Sequence, residues 1–288
     1  MGKQGNTAKP GAEPLSCRVS VFPGHIPNHM MLHEEAMHMN TLSKTHCHTR
    51  RLDRSVIRTL LLIGLIGSVL TGIGDFLVGY GEETEAAGLA EKLMSSAPNL
   101  TDAQLIWGGL LGAFGLFLEG IGFFAIYRLM ADAAPRQARI YRFGILGYIW
   151  LAPIGCHMNV GLLNYAYRTL LALDAQTAAR AAQVMVYAFC VPLWFVLILL
   201  WVPMLVIQFR VFAKGLTPYP ASAKWFHLLF GMVPALVLSA VMGPHTALGA
   251  GIGTMFLSFG NILTFAGLLC TLPKQARFST FEKELKTA

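Results

Sequence analysis

Six long apolar stretches, separated by short polar connections, dominate the chain after residue 55. A helix rises 1.5 Å per residue, so about 20 apolar residues are needed to cross ~30 Å of hydrocarbon. The stretches cover residues 56–80, 105–130, 140–165, 184–209, 225–241 and 251–272. The pattern predicts an all-α fold, a polytopic transmembrane bundle of about six helices.

Composition supports a membrane protein. Hydrophobic residues make up 55% of the chain and charged residues only 13%, whereas an ordinary soluble domain carries about 25% charged residues. Four prolines lie inside the spans, at positions 153, 192, 203 and 234. Membrane helices tolerate such prolines because neighbouring groups satisfy the freed backbone. We therefore expect all six spans to be helical, some of them kinked.

Basic residues mark every second connection, which predicts the orientation of the chain because Lys and Arg are retained on the cytoplasmic side. They lie before the first span, in the second and fourth connections, and after the last span: Lys44, Arg50, Arg51, Arg54, Arg58; Arg128, Arg136, Arg139, Arg142; Arg210, Lys214, Lys224; Lys274, Arg277, Lys283, Lys286. Both termini are thus predicted to be cytoplasmic, in a bacterial cytoplasmic membrane. The net charge of +7 is a topological signal of this kind and does not indicate nucleic-acid binding.

The two terminal segments differ from the spans in composition. Residues 1–55 are polar and rich in His and Met, which favours a disordered cytoplasmic tail. His and Cys clusters in this tail are also compatible with zinc or copper binding, and the alternative is a tract without a metal role. Residues 273–288 are predicted to be a second cytoplasmic tail, so the membrane domain covers residues 56–272.

Polar and small residues follow helical spacing in four of the spans. The stripes are Gly64, Ser68, Thr71, Asp75, Gly79; Gly108, Gly112, Gly115, Glu119, Gly122; Pro153, His157, Gly161, Asn164; and Thr254, Ser258, Asn261, Thr264. Steps of three and four place each set on one helix face. Ionisable groups at membrane depth normally face the bundle interior. We therefore expect a shared polar cavity in the outer half of the bundle.

The predicted site residues are those ionisable and amide side chains that lie on the stripes: Asp75, Glu119, His157, Asn164 and Asn261. One hypothesis is a cavity that binds or moves a lipid-like or small-molecule ligand, with the carboxylates as counter-charge or proton relay. A non-catalytic scaffold or regulatory subunit is a further alternative. In that case the glycines serve packing and the carboxyl groups only join helices together.

A metal site is the other alternative from the same residues. Asp75, His157 and His245 offer one carboxylate and two imidazoles, a common ligand set for catalytic zinc, with Glu119 as a general base. A divalent metal held there would suit an intramembrane hydrolase. The spacing matches no metalloprotease motif, so the sequence does not decide whether the protein is an enzyme.

Several short motifs carry a family resemblance. Gly74-Asp75, Leu118-Glu119-Gly120, Tyr127-Arg128 and His157 resemble an uncharacterised family of multi-pass bacterial membrane proteins, over about residues 56–272. An acid in each of the first two spans is also similar, more remotely, to the emopamil-binding and sigma-2 receptor group of sterol-handling bundles. That group has four or five helices, so the likeness implies only an analogy in ligand class.

Overall fold

The computed structural model describes residues 52–84 and 88–287, and the predictions for residues 1–51 of the His-rich tail lie outside these residues. The described part of the chain is helical and contains no strand, as the sequence predicted. Its α-helices are α1 Arg54–Gly79, α2 Leu89–Lys92, α3 Asp102–Met130, α4 Pro135–Ala152, α5 Asn159–Leu171, α6 Ala175–Met185, α7 Val191–Ala213, α8 Leu228–Met242, α9 Ala247–Thr254, α10 Phe256–Cys270 and α11 Gln275–Thr287.

Local sequence signals define the ends of the first two long helices. Asp53 caps α1 by accepting a hydrogen bond from the Ser55 amide at 2.8 Å. Thr101 and Gln104 form a reciprocal capping box at the start of α3. These side chains satisfy backbone donors that a helix start leaves unpaired. Both helices therefore begin at polar residues next to the predicted spans.

Two of the spans contain π-helical turns that join shorter helices into long ones. Pro153–Met158 links α4 to α5, and Val186–Cys190 links α6 to α7. The widened turn at Pro153 leaves backbone groups without their usual partners, and the Trp194 indole donates to the Gly155 carbonyl at 3.1 Å. The result is two continuous helical rods, Pro135–Leu171 and Ala175–Ala213.

Among the described residues, four helices are long and apolar enough to cross a membrane. They are α1, α3 and the two rods. The pair α9–α10 becomes a fifth if it counts as one span bent by 51°. Helix α8 has 15 residues and reaches about 22 Å, less than the ~30 Å hydrocarbon thickness. An integral membrane protein is thus supported, while six full-length spans are not.

The fifth predicted span is shorter than expected because its start is not α-helical. Residues Ala221–Trp225 form a tight 3-10 turn, and α8 begins only at Leu228. Its other end is fixed by Gly243, whose φ of +87° is a conformation that other residues rarely adopt.

Many large apolar side chains on the outside of the helices stay exposed. They include Phe143, Trp150, Leu162, Phe195 and Val241. An ordinary soluble surface rarely exposes so many large apolar groups together. These faces are suited to contact lipid chains.

Glycine contacts set the packing order of the helices. Gly67 lies against Gly115 and Gly74 against Gly108 and Gly112, so α1 and α3 run antiparallel with touching backbones. Gly231 similarly meets Gly260 between α8 and α10. Small residues at such crossings allow close approach of helices within a membrane. The glycine stripes therefore act at least as packing surfaces.

The segment predicted to be a C-terminal tail forms the packed helix α11. Its Phe278 and Phe281 are buried, and the Glu282 carboxylate accepts a hydrogen bond from the Leu52 amide at 2.5 Å. An aromatic pair three residues apart lies on one helix face, which buries it against the bundle. Helix α11 thus covers the end of the bundle at which α1 begins.

Candidate functional site: a buried polar network

Three helices bring the predicted ionisable residues together. Asp75 lies near the end of α1, Glu119 in the middle of α3, and His157 in the π-helical turn after α4. Glu119 is fully buried and His157 is 8% exposed. Asp75 lies near enough to both residues to interact with them electrostatically. The helical stripes therefore converge as the sequence predicted for these three residues.

Asp75 and His157 pair with each other across the bundle, as an ion pair when the imidazole is protonated. His157 Nε2 lies 3.1 Å from Asp75 Oδ1, and the Ser258 hydroxyl donates to Asp75 Oδ2 at 2.6 Å. Both carboxylate oxygens are thus engaged, by groups from two other helices. A largely buried carboxylate needs such partners because desolvation is costly.

Glu119 forms a second set of bonds on the same polar face. Its Oε2 atom accepts hydrogen bonds from the Tyr148 hydroxyl at 2.6 Å and from Asn261 Nδ2 at 2.7 Å. Its Oε1 atom has no partner among the described residues. The side chains of Thr71 and Ser68 on α1 lie near this carboxyl group, which is enclosed between the helices.

Tyr148 belongs to this network, although the sequence did not single it out as a site residue. Tyr148 precedes the His157 segment on the same rod, and its ring also packs edge-on against Phe123. A buried phenol usually has a hydrogen-bond partner, so a tyrosine inside a predicted span was the sequence signal that could have pointed to Tyr148.

The π-helical turn determines where the His157 ring points. A side chain added at Gly112 would overlap this ring, so the glycine of α3 provides the space for the imidazole. Asn159, just after the turn, donates to Cys190 Sγ at 3.2 Å in the neighbouring π-helical turn. Single π-helical turns occur frequently at functional sites.

The remaining predicted residues lie apart from the network. Asn164 donates to the Val160 carbonyl of its own helix at 3.0 Å, and its Oδ1 atom has no partner among the described residues. His245 is exposed in the connection before α9, where its Nδ1 atom lies 3.0 Å from Glu83. The structure therefore brings together Asp75, Glu119, His157 and Asn261, but neither Asn164 nor His245.

The metal hypothesis needed Asp75, His157 and His245 in one place, and the structure brings only the first two together. Helix α8 ends at Met242, and His245 lies in the connection that follows it, outside the spans. Across residues 52–84 and 88–287, no three His, Cys, Asp or Glu side chains are grouped so that they could hold a metal ion.

His245 belongs instead to a small charged cluster in the polar connections, together with Glu83 and Lys92. Partial burial raises the pKa of Glu83, but the bonds and charges of Lys92 and His245 outweigh it and hold this pKa below its usual range. A carboxylate with two basic partners stays ionised, which is favourable for tying the connection before α3 to the one after α8.

An apolar groove of about 300 Å³ lies beside the polar network, between α3 and α5. It is lined by Leu105, Ile106, Gly109, Leu110, Met158, Gly161, Leu162 and Tyr165. Gly109 of the groove packs against the backbone of His157, and Met158 directly follows that residue. The groove and the ion pair therefore share the same π-helical turn.

The comparisons with known proteins identify only the family. A family model described as a family of unknown function, DUF6796, matches residues 39–275. No curated protein and no solved structure matches the chain. The matched region contains every residue of the polar network, and it confirms the resemblance to an uncharacterised family. The emopamil-binding analogy stays a prediction. The chain belongs to DUF6796, a family whose function is unknown.

Proposed function

We propose that this membrane protein binds a lipid-like or small apolar molecule in the groove between α3 and α5. The observation that carries this proposal is the contact between that groove and the turn holding His157. An apolar pocket with a few polar groups beside it is the usual form of a small-molecule site. The Asp75–His157 pair, which shares this turn, would supply a polar contact or take up a proton.

The exposure of the groove supports a ligand that arrives from the membrane. Leu162 is 63% exposed and Ile106 is 49% exposed, so the groove opens sideways along the helices. A molecule dissolved in the hydrocarbon would reach it without crossing a polar surface. Gly109 and Gly161 lie against each other where α3 and α5 meet, so the groove runs along this close helix contact.

A photoactivatable phosphatidylcholine with a clickable tail is a suitable probe, used with the full chain in nanodiscs. We expect labelling of the peptide that contains Leu162, and a loss of about tenfold in Leu162→Trp because the indole fills the groove. Ile198→Trp is the matched control, since Ile198 of α7 is 52% exposed and does not line the groove. Equal labelling of both variants would mean that the probe reports only random lipid contact.

We further propose six crossings with both termini in the cytoplasm of a bacterial cell. Two contacts support this. His245, which follows α8, lies against Glu83 in the connection that follows α1. The start of α8 lies near Lys224, one of the basic residues predicted to be cytoplasmic, so the two ends of α8 would lie on opposite sides of the membrane. Arg54 at the start of α1 donates to the Pro273 carbonyl after α10 at 2.8 Å. Helix α8 and the bent pair would then each cross once.

Site-directed labelling in intact cells tests this orientation. With a membrane-impermeant maleimide, Gly88→Cys and His245→Cys should react from outside, and Lys214→Cys only after permeabilisation. Wild-type protein gives the background from the native cysteines. Labelling of Lys214→Cys in intact cells would contradict the proposed orientation. If only one of Gly88→Cys and His245→Cys reacted from outside, α8 would not cross the membrane as proposed.

A further inference from the structure

A second cavity lies at the opposite end of α1 from Asp75. It has a volume of about 520 Å³ and opens where α1 begins. Its lining residues are Asp53, Arg54, Ser55, Arg58, Thr59, Leu62 and Gln275. This cavity is separate from the polar network and from the groove between α3 and α5.

The cavity carries a net positive charge, with two arginines against one aspartate. Arg54 is held in place, because its Nε donates to the Pro273 carbonyl and its amide donates to Gln275 Oε1 at 3.3 Å. Asp53 caps the helix start. Arg58 lines the cavity and its side chain is exposed, so its guanidinium is open to a ligand. A guanidinium in this state is well suited to bind a phosphate oxygen pair.

An apolar ridge leads from this cavity along α1 toward the middle of the bundle. Leu62, Ile66, Val69 and Ile73 follow one another at steps of four, three and four, so they lie on one face. Each of them is between 39% and 54% exposed. The cationic cavity and the ridge therefore match the two parts of a phospholipid, with the headgroup at the helix start and an acyl chain along the helix.

We infer that this cavity binds the headgroup of an anionic phospholipid, whose acyl chain lies on the α1 ridge. Arg58 contacts the phosphate, while Arg54 adds a positioned second charge. Basic cavities at the ends of membrane helices attract anionic lipid headgroups in this way. The inference does not depend on the proposed ligand of the other groove.

Native mass spectrometry of the full chain released from detergent tests the inference, with phosphatidylglycerol and phosphatidylcholine as probes. We expect the wild type to retain phosphatidylglycerol in preference to phosphatidylcholine. Arg58→Gln should retain about tenfold less phosphatidylglycerol, which is the effect of losing one charge-assisted contact. Arg210→Gln is the matched control, because Arg210 is an exposed arginine in the last turn of α7 and lies outside the cavity.

Three outcomes would overturn the inference. Equal retention of the two lipids by the wild type would remove the selectivity for negative charge. An equal loss in Arg210→Gln would show that binding follows the overall basic surface. Displacement of the lipid by excess glycerol 3-phosphate, which lacks acyl chains, would show that the ridge has no part in binding. Arg58 is exposed, so its replacement leaves the packing of the bundle unchanged.

Discussion

Replacement of Gly74 by valine is expected to prevent assembly of the bundle. A Cβ atom at this position would lie 2.6 Å from the Gly112 nitrogen and 2.7 Å from the Gly108 oxygen. Both are backbone atoms of α3, so no flexible side chain can move aside. Overpacking costs about 1–3 kcal/mol where neighbours yield, and more where they do not. Because α1 and α3 also position Asp75 and Glu119, the polar network should be lost with the interface.

A pair of alanine variants gives the controlled measurement, by thermal unfolding of purified protein in nanodiscs. Gly74→Ala should lower the unfolding temperature. Gly109→Ala should leave it unchanged or raise it, because its new Cβ would be 3.5 Å from its nearest neighbour and alanine favours a helix by about 1 kcal/mol. Equal behaviour of the two variants would show that the α1–α3 contact is looser than described.

Asp75→Leu is expected to destabilise the protein by about 1–3 kcal/mol, because it leaves the buried His157 imidazole and the Ser258 hydroxyl without their hydrogen-bond partner. Asp75→Asn keeps an oxygen that can accept from Ser258 or from the imidazole, so its effect on folding should be small. Thermal unfolding in nanodiscs of Asp75→Leu, His157→Ala and the double variant measures the coupling. If the two single effects simply add, the ion pair contributes little to stability.

The milder variants separate a functional role from a packing role. Asp75→Asn and Glu119→Gln should both insert and fold, yet lose labelling of the groove by the photoactivatable lipid, because each removes a charge or proton site from the polar network that meets the groove at the His157 turn. Membrane fractionation and melting curves provide the folding control. If both variants fail to fold, the carboxyl groups serve only to join helices, as the scaffold alternative holds.

Helical periodicity was sufficient to predict which faces of α1, α3 and α10 turn inward. An ionisable group is too costly in lipid, so Asp75 and Glu119 had to face other helices, and the glycines spaced around them marked the contact surface. The same reasoning placed Asn261 correctly, since it lies on the polar stripe that reaches Glu119. It placed Asn164 on an inward face too, but could not show that this side chain bonds to its own helix.

The partners of each polar group depended on contacts between distant segments. His157, the partner of Asp75, lies in the π-helical turn that begins at Pro153, and a proline in a span does not by itself reveal whether the helix kinks, breaks or widens. If the fifth span continued as a helix, His245 would lie at about the same membrane depth as Asp75. Helix α8 instead ends next to Gly243, and His245 lies beside Glu83.

The sequence by itself determined an apolar, all-helical membrane protein and the inward faces of its first helices, because hydrophobic length and 3.6-residue periodicity are local properties. Only the tertiary structure decided the short α8, the bend between α9 and α10, and the docking of α11. It also brought Tyr148 to Glu119 and placed an apolar groove beside the ion pair. These features arise from packing between segments far apart in the chain, and hydropathy does not encode such contacts.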